Sequence, residues 1–390
     1  MLILTDERPD SVELADRAAT IRAAYVHIPF CARLCPYCDF AVVTDRDDQT
    51  ARYCKALTLE IERETEWAPL DSIYVGGGTP SRVDPQQLGL VLDALAAQHG
   101  FSEELEVSIE ANPEDWSLDR ALALRQAGFN RVSFGAQSFN SSTLLRLGRR
   151  HQPDQIAGAV FAAREAGFSS INLDLIFGTP GDGSWGETLV AALSLRPDHL
   201  SCYALTVEPG TELFRQVAAG SPGPNSDQQA DAWETAAAAA ESAGLVRYEV
   251  SNWARPGHAV NYNLAVWAQA EYLAFGLGAH RFRSKVRSHN YRHLDTYLAA
   301  AEKGASTWAG EEPIEGWTSE VERVFLGIRR VAGVRAGPAG EALWHSDEGQ
   351  TLAKHGVIEL GGGRLVVRRT LLTDAVARAL LALPPPPIQN

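Results

Sequence analysis

Short β-branched or apolar segments alternate with longer segments of helical character through the first two thirds of the chain, and this alternation limits the folds available to it. Several of the helical segments open with Asp, Ser or Pro and close with Gly, as helix termini often do. Repeated strand–helix units predict a parallel sheet covered by helices. The six strand candidates are AAYVHI, SIYVGG, EVSIEA, RVSFGA, INLDLIF and HLSCYALTV. We therefore expect an α/β, barrel-like domain of six units.

The alternation breaks down after about Trp253, where mixed helix and short strand follow. A smaller C-terminal α+β domain is therefore predicted. The closing PPPPIQN favours an extended, disordered end. The predicted divisions are an N-terminal tail (1–20), a core domain (21–250), a C-terminal domain (251–383) and a disordered tail (384–390).

Charge and composition narrow the classes of partner. The formal net charge of -14 argues against a broad nucleic-acid surface, so we expect no nucleic-acid partner. The N-terminus carries acidic residues and lacks a secretory signal, and no run of about 18 apolar residues occurs. We expect a cytoplasmic protein.

The loops that follow the predicted strands contain most of the chemically informative residues. In parallel βα barrels these loops form the active face. They read, in chain order, as the cysteine segment CARLCPYC, then GGGTP, EANP, GAQSF, GTP and EPGT. We expect the functional residues to meet at this end of the barrel.

Three of the five cysteines lie within eight positions, as Cys31, Cys35 and Cys38 in a C-x3-C-x2-C pattern. Three thiolates can bind three irons of a four-iron cluster and leave the fourth iron open to another ligand. A structural zinc site would ordinarily need a fourth ligand, for which His27 and Cys54 are the nearest residues. Burial of the three cysteines as small apolar side chains is a third interpretation.

Glycines and carboxylates in the neighbouring loops suggest a bound ligand. Gly76, Gly77 and Gly78 allow a close approach of the backbone, although such a run is often only a turn. Glu110 and Asp174 stand in apolar strands, where an unpaired charge is costly, so each needs a partner. That partner is either a ligand or a structural salt bridge.

Two further polar residues have two interpretations each. Gln137 and Arg149 suit contacts to a ligand, but they also suit a capping amide and a solvated basic segment.

The cysteine pattern after a first strand, with an aromatic residue just before the third cysteine, resembles the radical S-adenosylmethionine (SAM) superfamily. The resemblance extends to the oxygen-independent coproporphyrinogen III oxidase-like family, through motifs that occur in one order over residues 25–280. These are YVHIPFC, GGGTPS, SIEANP, GAQSFN, LLRLGRRH, DLIFGTPG, SCYALTVEPGT, YEVSN and GLGAH.

This resemblance implies a partial (β/α)6 barrel that holds a 4Fe-4S cluster and SAM. The open iron would bind the amino and carboxylate groups of SAM, whose reductive cleavage gives a 5'-deoxyadenosyl radical. The implied cluster ligands are Cys31, Cys35 and Cys38. The implied SAM-binding residues are Tyr25, Tyr37, Gly77, Gly78, Thr79, Glu110, Gln137, Arg149 and Asp174.

The family has two main branches, a dehydrogenase that decarboxylates porphyrinogen propionates and a haem chaperone. The dehydrogenase pattern has a further cysteine two places after the third, where this chain has Phe40. The resemblance therefore implies a chaperone that binds haem and transfers it to an acceptor protein. It also implies an electron donor for the cluster, and membrane association only through the acceptor. A radical SAM enzyme acting on a porphyrin or another substrate is the alternative.

One motif of the second domain departs from the chaperone pattern. The chaperones commonly show H-N-x-x-Y-W, whereas this chain reads YNLAVW from Tyr262 to Trp267. Because tyrosinate can bind ferric haem, Tyr262 is the first ligand predicted, followed by His258 and His280. The other interpretation is that this segment packs Leu264 and Trp267 into a core.

Overall fold

Twelve strands within residues 9–385, the part of the chain that the computed structural model describes, form one sheet at the centre of the fold. They are β1 (Ala23–Ile28), β2 (Leu70–Gly77), β3 (Phe101–Ala111), β4 (Arg131–Gln137), β5 (Ser170–Phe177), β6 (His199–Ala204), β7 (Val246–Arg247), β8 (Asn252–Ala254), β9 (Tyr272–Phe275), β10 (His280–Arg283), β11 (Val286–Asn290) and β12 (Trp308–Pro313). Strands β1 to β6 are parallel neighbours in chain order. The outer neighbours of this group are β9 beside β1 and β8 beside β6, so the barrel stays open.

Helices connect the strands and cover the sheet. They are α1 (Pro9–Ala18), α2 (Thr50–Glu62), α3 (Pro85–His99), α4 (Leu118–Gln126), α5 (Ser141–Arg146), α6 (Pro153–Glu165), α7 (Trp185–Ser194), α8 (Glu212–Ala218), α9 (Ser226–Ser242), α10 (Asn261–Trp267) and α11 (Leu294–Lys303). Within residues 9–385, no helix is both long and apolar enough to cross a membrane.

A second unit follows β12 and has its own apolar core. It contains α12 (Gly316–Gly327), β13 (Val334–Arg335), α13 (Gly337–His345), α14 (Asp347–Lys354), β14 (Ile358–Gly361), β15 (Arg364–Val367) and α15 (Thr373–Leu381). Its three strands form a separate antiparallel sheet. Val324, Leu343, Leu365 and Val376 are among the residues buried in its core.

Alternation along the strands separates an apolar outer face from a polar inner face. In β5, Ile171, Leu173 and Leu175 are fully buried in the main core beneath the helices. Asn172 and Asp174 lie between them in the sequence and therefore point to the opposite face, where they hydrogen-bond each other. The barrel thus directs its apolar side chains outward and its polar ones inward, toward the site.

The six predicted strands are confirmed, in their predicted order and as parallel neighbours. β2 and β3 begin earlier than predicted, and β6 ends at Ala204 although its predicted segment HLSCYALTV runs to Val207.

The predicted divisions can be compared with the described residues. Segment 1–20, predicted as a tail, contains α1, whose Ala18 is fully buried beside α10 and whose Ala15 carbonyl accepts a bond from Arg330 (3.0 Å). The central sheet also runs across the predicted boundary at 250, because β8 to β12 continue it. In the predicted disordered tail, residues 386–390 lie outside the described residues.

Candidate functional site

A cavity of about 700 Å³ lies at the carboxyl ends of β1 to β6. Eleven of the twelve residues predicted from the sequence line it, namely Cys31, Cys35, Tyr37, Cys38, Gly77, Gly78, Thr79, Glu110, Gln137, Arg149 and Asp174. Tyr25 is not among its lining residues. The cavity occupies the position where loops meet in parallel barrels.

Backbone pairing fixes the base of the cysteine loop. The Cys31 amide donates to the Val43 carbonyl (3.0 Å), and the Val43 amide donates to the Pro29 carbonyl (2.8 Å). Within the loop, the Cys38 amide donates to the Cys35 carbonyl (3.1 Å). All three cysteines of the loop are partly exposed free thiols, whereas Cys54 and Cys202 are buried.

The glycine loop after β2 approaches β1 so closely that it excludes side chains. Gly77 has a φ of +117°, and a Cβ there would lie 2.4 Å from Cε1 of His27. His27 itself donates from Nε2 to the Ala41 carbonyl (2.8 Å) and accepts at Nδ1 from the Tyr25 hydroxyl (2.9 Å). This buried imidazole therefore connects the glycine loop to the end of the cysteine loop.

Glu110 lies at the end of β3 and binds the glycine loop directly. Its carboxylate accepts hydrogen bonds from the Gly77 amide (2.9 Å) and the Tyr74 hydroxyl (2.9 Å). Burial raises the pKa of Glu110 to about 7, while the bond from Gly77 lowers it and the charge of Asp174 raises it further. No salt bridge to Glu110 is formed among residues 9–385, so the structural ion pair considered from the sequence does not occur there.

Asp174 sits on β5 within a network of neutral donors. Its carboxylate accepts from Ser133 (2.6 Å) and Asn172 (2.7 Å). Burial raises its pKa despite these bonds. Two half-buried carboxyl groups thus line one cavity, where they accept hydrogen bonds but have little positive charge beside them. Such a site favours a cationic ligand.

Arg149 provides the positive charge on the cysteine side of the cavity. Its guanidinium donates to the Gly135 carbonyl (3.0 Å), to Asn112, and toward the Cys35 sulfur (3.8 Å). Burial acts to lower the pKa of Arg149, but Tyr37 and Cys35 raise it above its ordinary value. Its Nε is buried without a hydrogen-bond partner among the described residues.

Gln137 ends β4 in an unusual backbone conformation. Its φ is +61°, in the left-handed region that non-glycine residues rarely adopt, and the β4–β5 register shifts at this point. Such strain concentrates at functional sites. It turns the chain so that Gln137 lines the cavity.

Comparison with known proteins assigns the chain to a family. Residues 25–189 match the model of the radical SAM superfamily. The chain is 36% identical over 368 residues to a protein of Mycobacterium tuberculosis (strain H37Rv) named heme chaperone HemW, with 92% of this chain and 94% of that protein covered. The chain belongs to the HemW family.

A second relative agrees with this assignment, and a solved structure shows the fold. The HemW protein of Bacillus subtilis (strain 168) is 34% identical over 357 residues, which cover 87% of this chain and 93% of that protein. The structure of coproporphyrinogen III oxidase (HemN) from Escherichia coli matches with a TM-score of 0.78 at 23% identity, covering 95% of this chain and 92% of that one. This match shows a common fold, the radical SAM partial barrel.

The cysteine loop of this HemW family member fits the iron–sulfur cluster of the superfamily. A Cβ on Gly78 would lie 2.9 Å from the Cys31 sulfur, so glycine keeps the space beside this thiol free. Burial raises the pKa of Cys31 and raises that of Cys38 to about 11, so iron has to displace protons from these thiols. Among residues 9–385, no three His, Cys, Asp or Glu side chains are placed to hold a single metal ion. Thiols that each bind a different iron need not converge on one point.

Tyr262, the first haem ligand predicted from the sequence, is packed among other aromatic rings. Its ring stacks on Tyr74 (5.3 Å between centroids) and Tyr25 (5.7 Å), and Tyr272 meets it edge-on (5.9 Å). Burial raises the pKa of Tyr262 well above its ordinary value, which opposes the tyrosinate that ferric haem requires. The alternative interpretation, a segment packed in a core, describes Leu264, which is buried.

Sequence reasoning missed several residues that hold the ligand-facing groups in place. Tyr74 and His27 support the glycine loop, and Asn112 connects Arg149 to Thr79, donating to its hydroxyl (3.2 Å). Asn112 was visible in the EANP motif, and the two-residue spacing on a strand places Tyr74 on the same face as Gly76. The partner of each group depends on strand register, which the sequence does not state.

Proposed function

We propose that this HemW family member is a haem chaperone that holds a 4Fe-4S cluster and SAM, binds haem and transfers it to an acceptor protein. The observation that carries the proposal is near full-length similarity to proteins named heme chaperone. The cavity that gathers the three clustered cysteines with two half-buried carboxylates supports the cofactor part of it.

The cysteines hold the cluster in this proposal. Cys31, Cys35 and Cys38 would each supply a thiolate, while Gly78 leaves space and the Thr79 hydroxyl lies 3.7 Å from the Cys31 sulfur. When bound, the cluster and SAM supply one-electron chemistry through reductive cleavage of SAM. An electron donor is required for this chemistry.

The remaining cavity residues orient SAM. Glu110 and Asp174 would lie near its positive groups, because a cation lowers the cost of ionising half-buried carboxylates. Arg149 is held beside Cys35 and lines the cavity, so its guanidinium would pair with the SAM carboxylate. Tyr37 and Gln137 line the same cavity and would close around the ligand. Tyr25 does not line the cavity, and it would support the site indirectly by donating a hydrogen bond to His27.

The proposal is tested by anaerobic reconstitution followed by haem titration and transfer. We expect iron and acid-labile sulfide to be taken up, haem to bind stoichiometrically, and the bound haem to move to an apo-haem protein. Coproporphyrinogen III supplied with SAM and a reductant should remain undecarboxylated.

Two results would contradict the proposal in different ways. Decarboxylation of coproporphyrinogen III without haem uptake would indicate an enzyme of the dehydrogenase type. Zinc retained in place of iron and sulfide would indicate a non-enzymatic scaffold. Action in the cytoplasm, and at membranes only through the acceptor, remains a prediction.

A further inference from the structure

A second cavity, of about 620 Å³, lies between the β9–β11 part of the sheet and α12, apart from the cysteine cavity. Its volume lies in the usual range for small-molecule sites, roughly 300–1,000 Å³. Most of its wall is apolar, with Val266, Ala270, Phe282, Trp317, Val321 and Phe325 contributing. A flat apolar molecule is the kind of ligand that such a groove accepts.

One face of the β10–β11 hairpin places polar groups at this groove. The register pairs His280 with His289 and Phe282 with Arg287, so all four side chains lie on the same face. His280, Phe282 and Arg287 line the groove. His280 is exposed there.

The two histidines stack on each other and leave their nitrogens free. Their ring centroids are 5.2 Å apart at an angle of 19°, and neither ring forms a hydrogen bond within the described part of the chain. A Cβ on Gly310 would lie 2.6 Å from the His289 ring, so glycine leaves room for this stack. Partial burial lowers the pKa of His280, and the neighbouring His289 and Arg292 lower it further. An imidazole nitrogen without a hydrogen-bond partner at the wall of the groove is available to bind a metal.

Arg287 supplies positive charge on the same wall. Its guanidinium pairs with Glu322 and, more loosely, with Glu312 (3.7 Å). A guanidinium carries five N–H donors, so it can bind Glu322 and an incoming carboxylate together. The groove thus combines apolar walls, a free imidazole and a guanidinium paired with Glu322, which also lines the groove.

We propose that haem binds in this groove with His280 as an axial ligand to its iron and Arg287 near a propionate. The site rests on the proposed haem-chaperone function and specifies where the haem is held. His289 is a positioning residue, because a ring stacked flat on His280 cannot reach the opposite face of the same haem.

The position of α10 explains why the altered motif of the second domain does not prevent haem binding. Val266 lines the groove, whereas Tyr262 stacks on Tyr25 and Tyr74. The helix therefore contributes apolar wall rather than a ligand. The proposed ligand of the haem iron is therefore His280 of the β10–β11 hairpin and not Tyr262.

The test is titration of the full-length protein with ferric haem and, separately, with iron-free protoporphyrin IX. His280→Gly should weaken haem binding roughly tenfold or more and remove the histidine-ligated spectrum, while protoporphyrin affinity changes little. Added imidazole should restore the spectrum. Thr318→Trp, which fills the groove from its exposed rim, should weaken both ligands.

The control is His345→Ala, which removes an exposed histidine on α13 outside the groove and should change neither affinity. Haem binding and a spectrum unchanged in both His280→Gly and Thr318→Trp would overturn this site and leave the chaperone function standing. Absence of haem uptake by the unmodified protein would overturn both.

Discussion

The three clustered cysteines differ from the other two because they line the cavity. They are Cys31, Cys35 and Cys38. Replacing any one of them with Ala should abolish an intact 4Fe-4S cluster, because the site then lacks a thiolate and becomes labile. Cys54→Ala and Cys202→Ala are matched controls, since both thiols are buried in the main core and absent from the cavity. Iron and sulfide analysis after anaerobic reconstitution measures the outcome. A triple variant of the loop cysteines that retains full iron and sulfide would end the radical SAM interpretation.

Glu110 should make SAM binding depend on pH. Its pKa of about 7 means that the carboxyl is mostly neutral below pH 7 and ionised above it. If it faces a positive group of SAM, affinity should rise as the pH increases from 6 to 8. Glu110→Gln should flatten this part of the profile and weaken binding at pH 8 by roughly tenfold or more.

Glu249→Gln provides the control for this pH dependence. Burial also raises the pKa of Glu249 to about 7, but this residue does not line the cavity. Its variant should keep the profile of the unmodified protein, including any titration of SAM itself. Equilibrium dialysis over the same pH range compares the three proteins, and identical profiles would assign Glu110 a structural role.

Residue types were predictable at the site, but their partners were not. A carboxylate within an apolar strand signals a functional or paired group, and this pointed to Glu110 and Asp174. Their hydrogen bonds come from Tyr74 on β2 and Ser133 on β4, which only the strand register brings near. The surroundings of Tyr262 were unpredictable for the same reason, because the rings that stack on it come from β1 and β2.

At the scale of elements, the close contact between the glycine loop and β1 is open to test. Gly77→Ala should lower the free energy of unfolding by roughly 2–4 kcal/mol, through left-handed strain plus the clash with His27. It should also weaken SAM binding. Denaturant unfolding and dialysis measure the two effects.

Gly100→Ala separates strain from clash. Gly100 also has a positive φ (+74°), but a Cβ there would meet nothing closer than 3.8 Å. Gly100→Ala should lower the free energy of unfolding by only about 1–2 kcal/mol and leave SAM affinity unchanged. Equal losses of unfolding free energy and of SAM affinity in Gly77→Ala and Gly100→Ala would show that the contact with His27 contributes nothing to either.

The strands of the barrel could be predicted because each carries its own local pattern. β1, β5 and β6 have apolar side chains at alternate positions and are bounded by turn residues or helices, so their sequences suffice. The short strands β7 to β12 could not be assigned in this way. Their place in the sheet depends on pairing with β1 and β6, which is a property of distant segments.

For the whole molecule, continuity of the sheet predicts where the chain can be shortened. A chain ending at 314 keeps all twelve strands and loses only the second unit, which has a separate core. It should reconstitute a cluster, while losing the α12 wall of the groove. A chain ending at 250 lacks β8 and β9, and should aggregate because β1 and β6 become open edges. Size-exclusion chromatography and iron content distinguish the two, and equal behaviour of both would contradict this account.

The pairing of β1 with β9 also sets the order of events during synthesis. Ala23 of β1 pairs with Tyr272 of β9, so one side of the first strand has no partner until most of the chain has left the ribosome. Throughout that time the nascent chain presents an open β-edge beside three unmetallated thiols. The nascent chain is thus a strong candidate client for holding chaperones while it is being made.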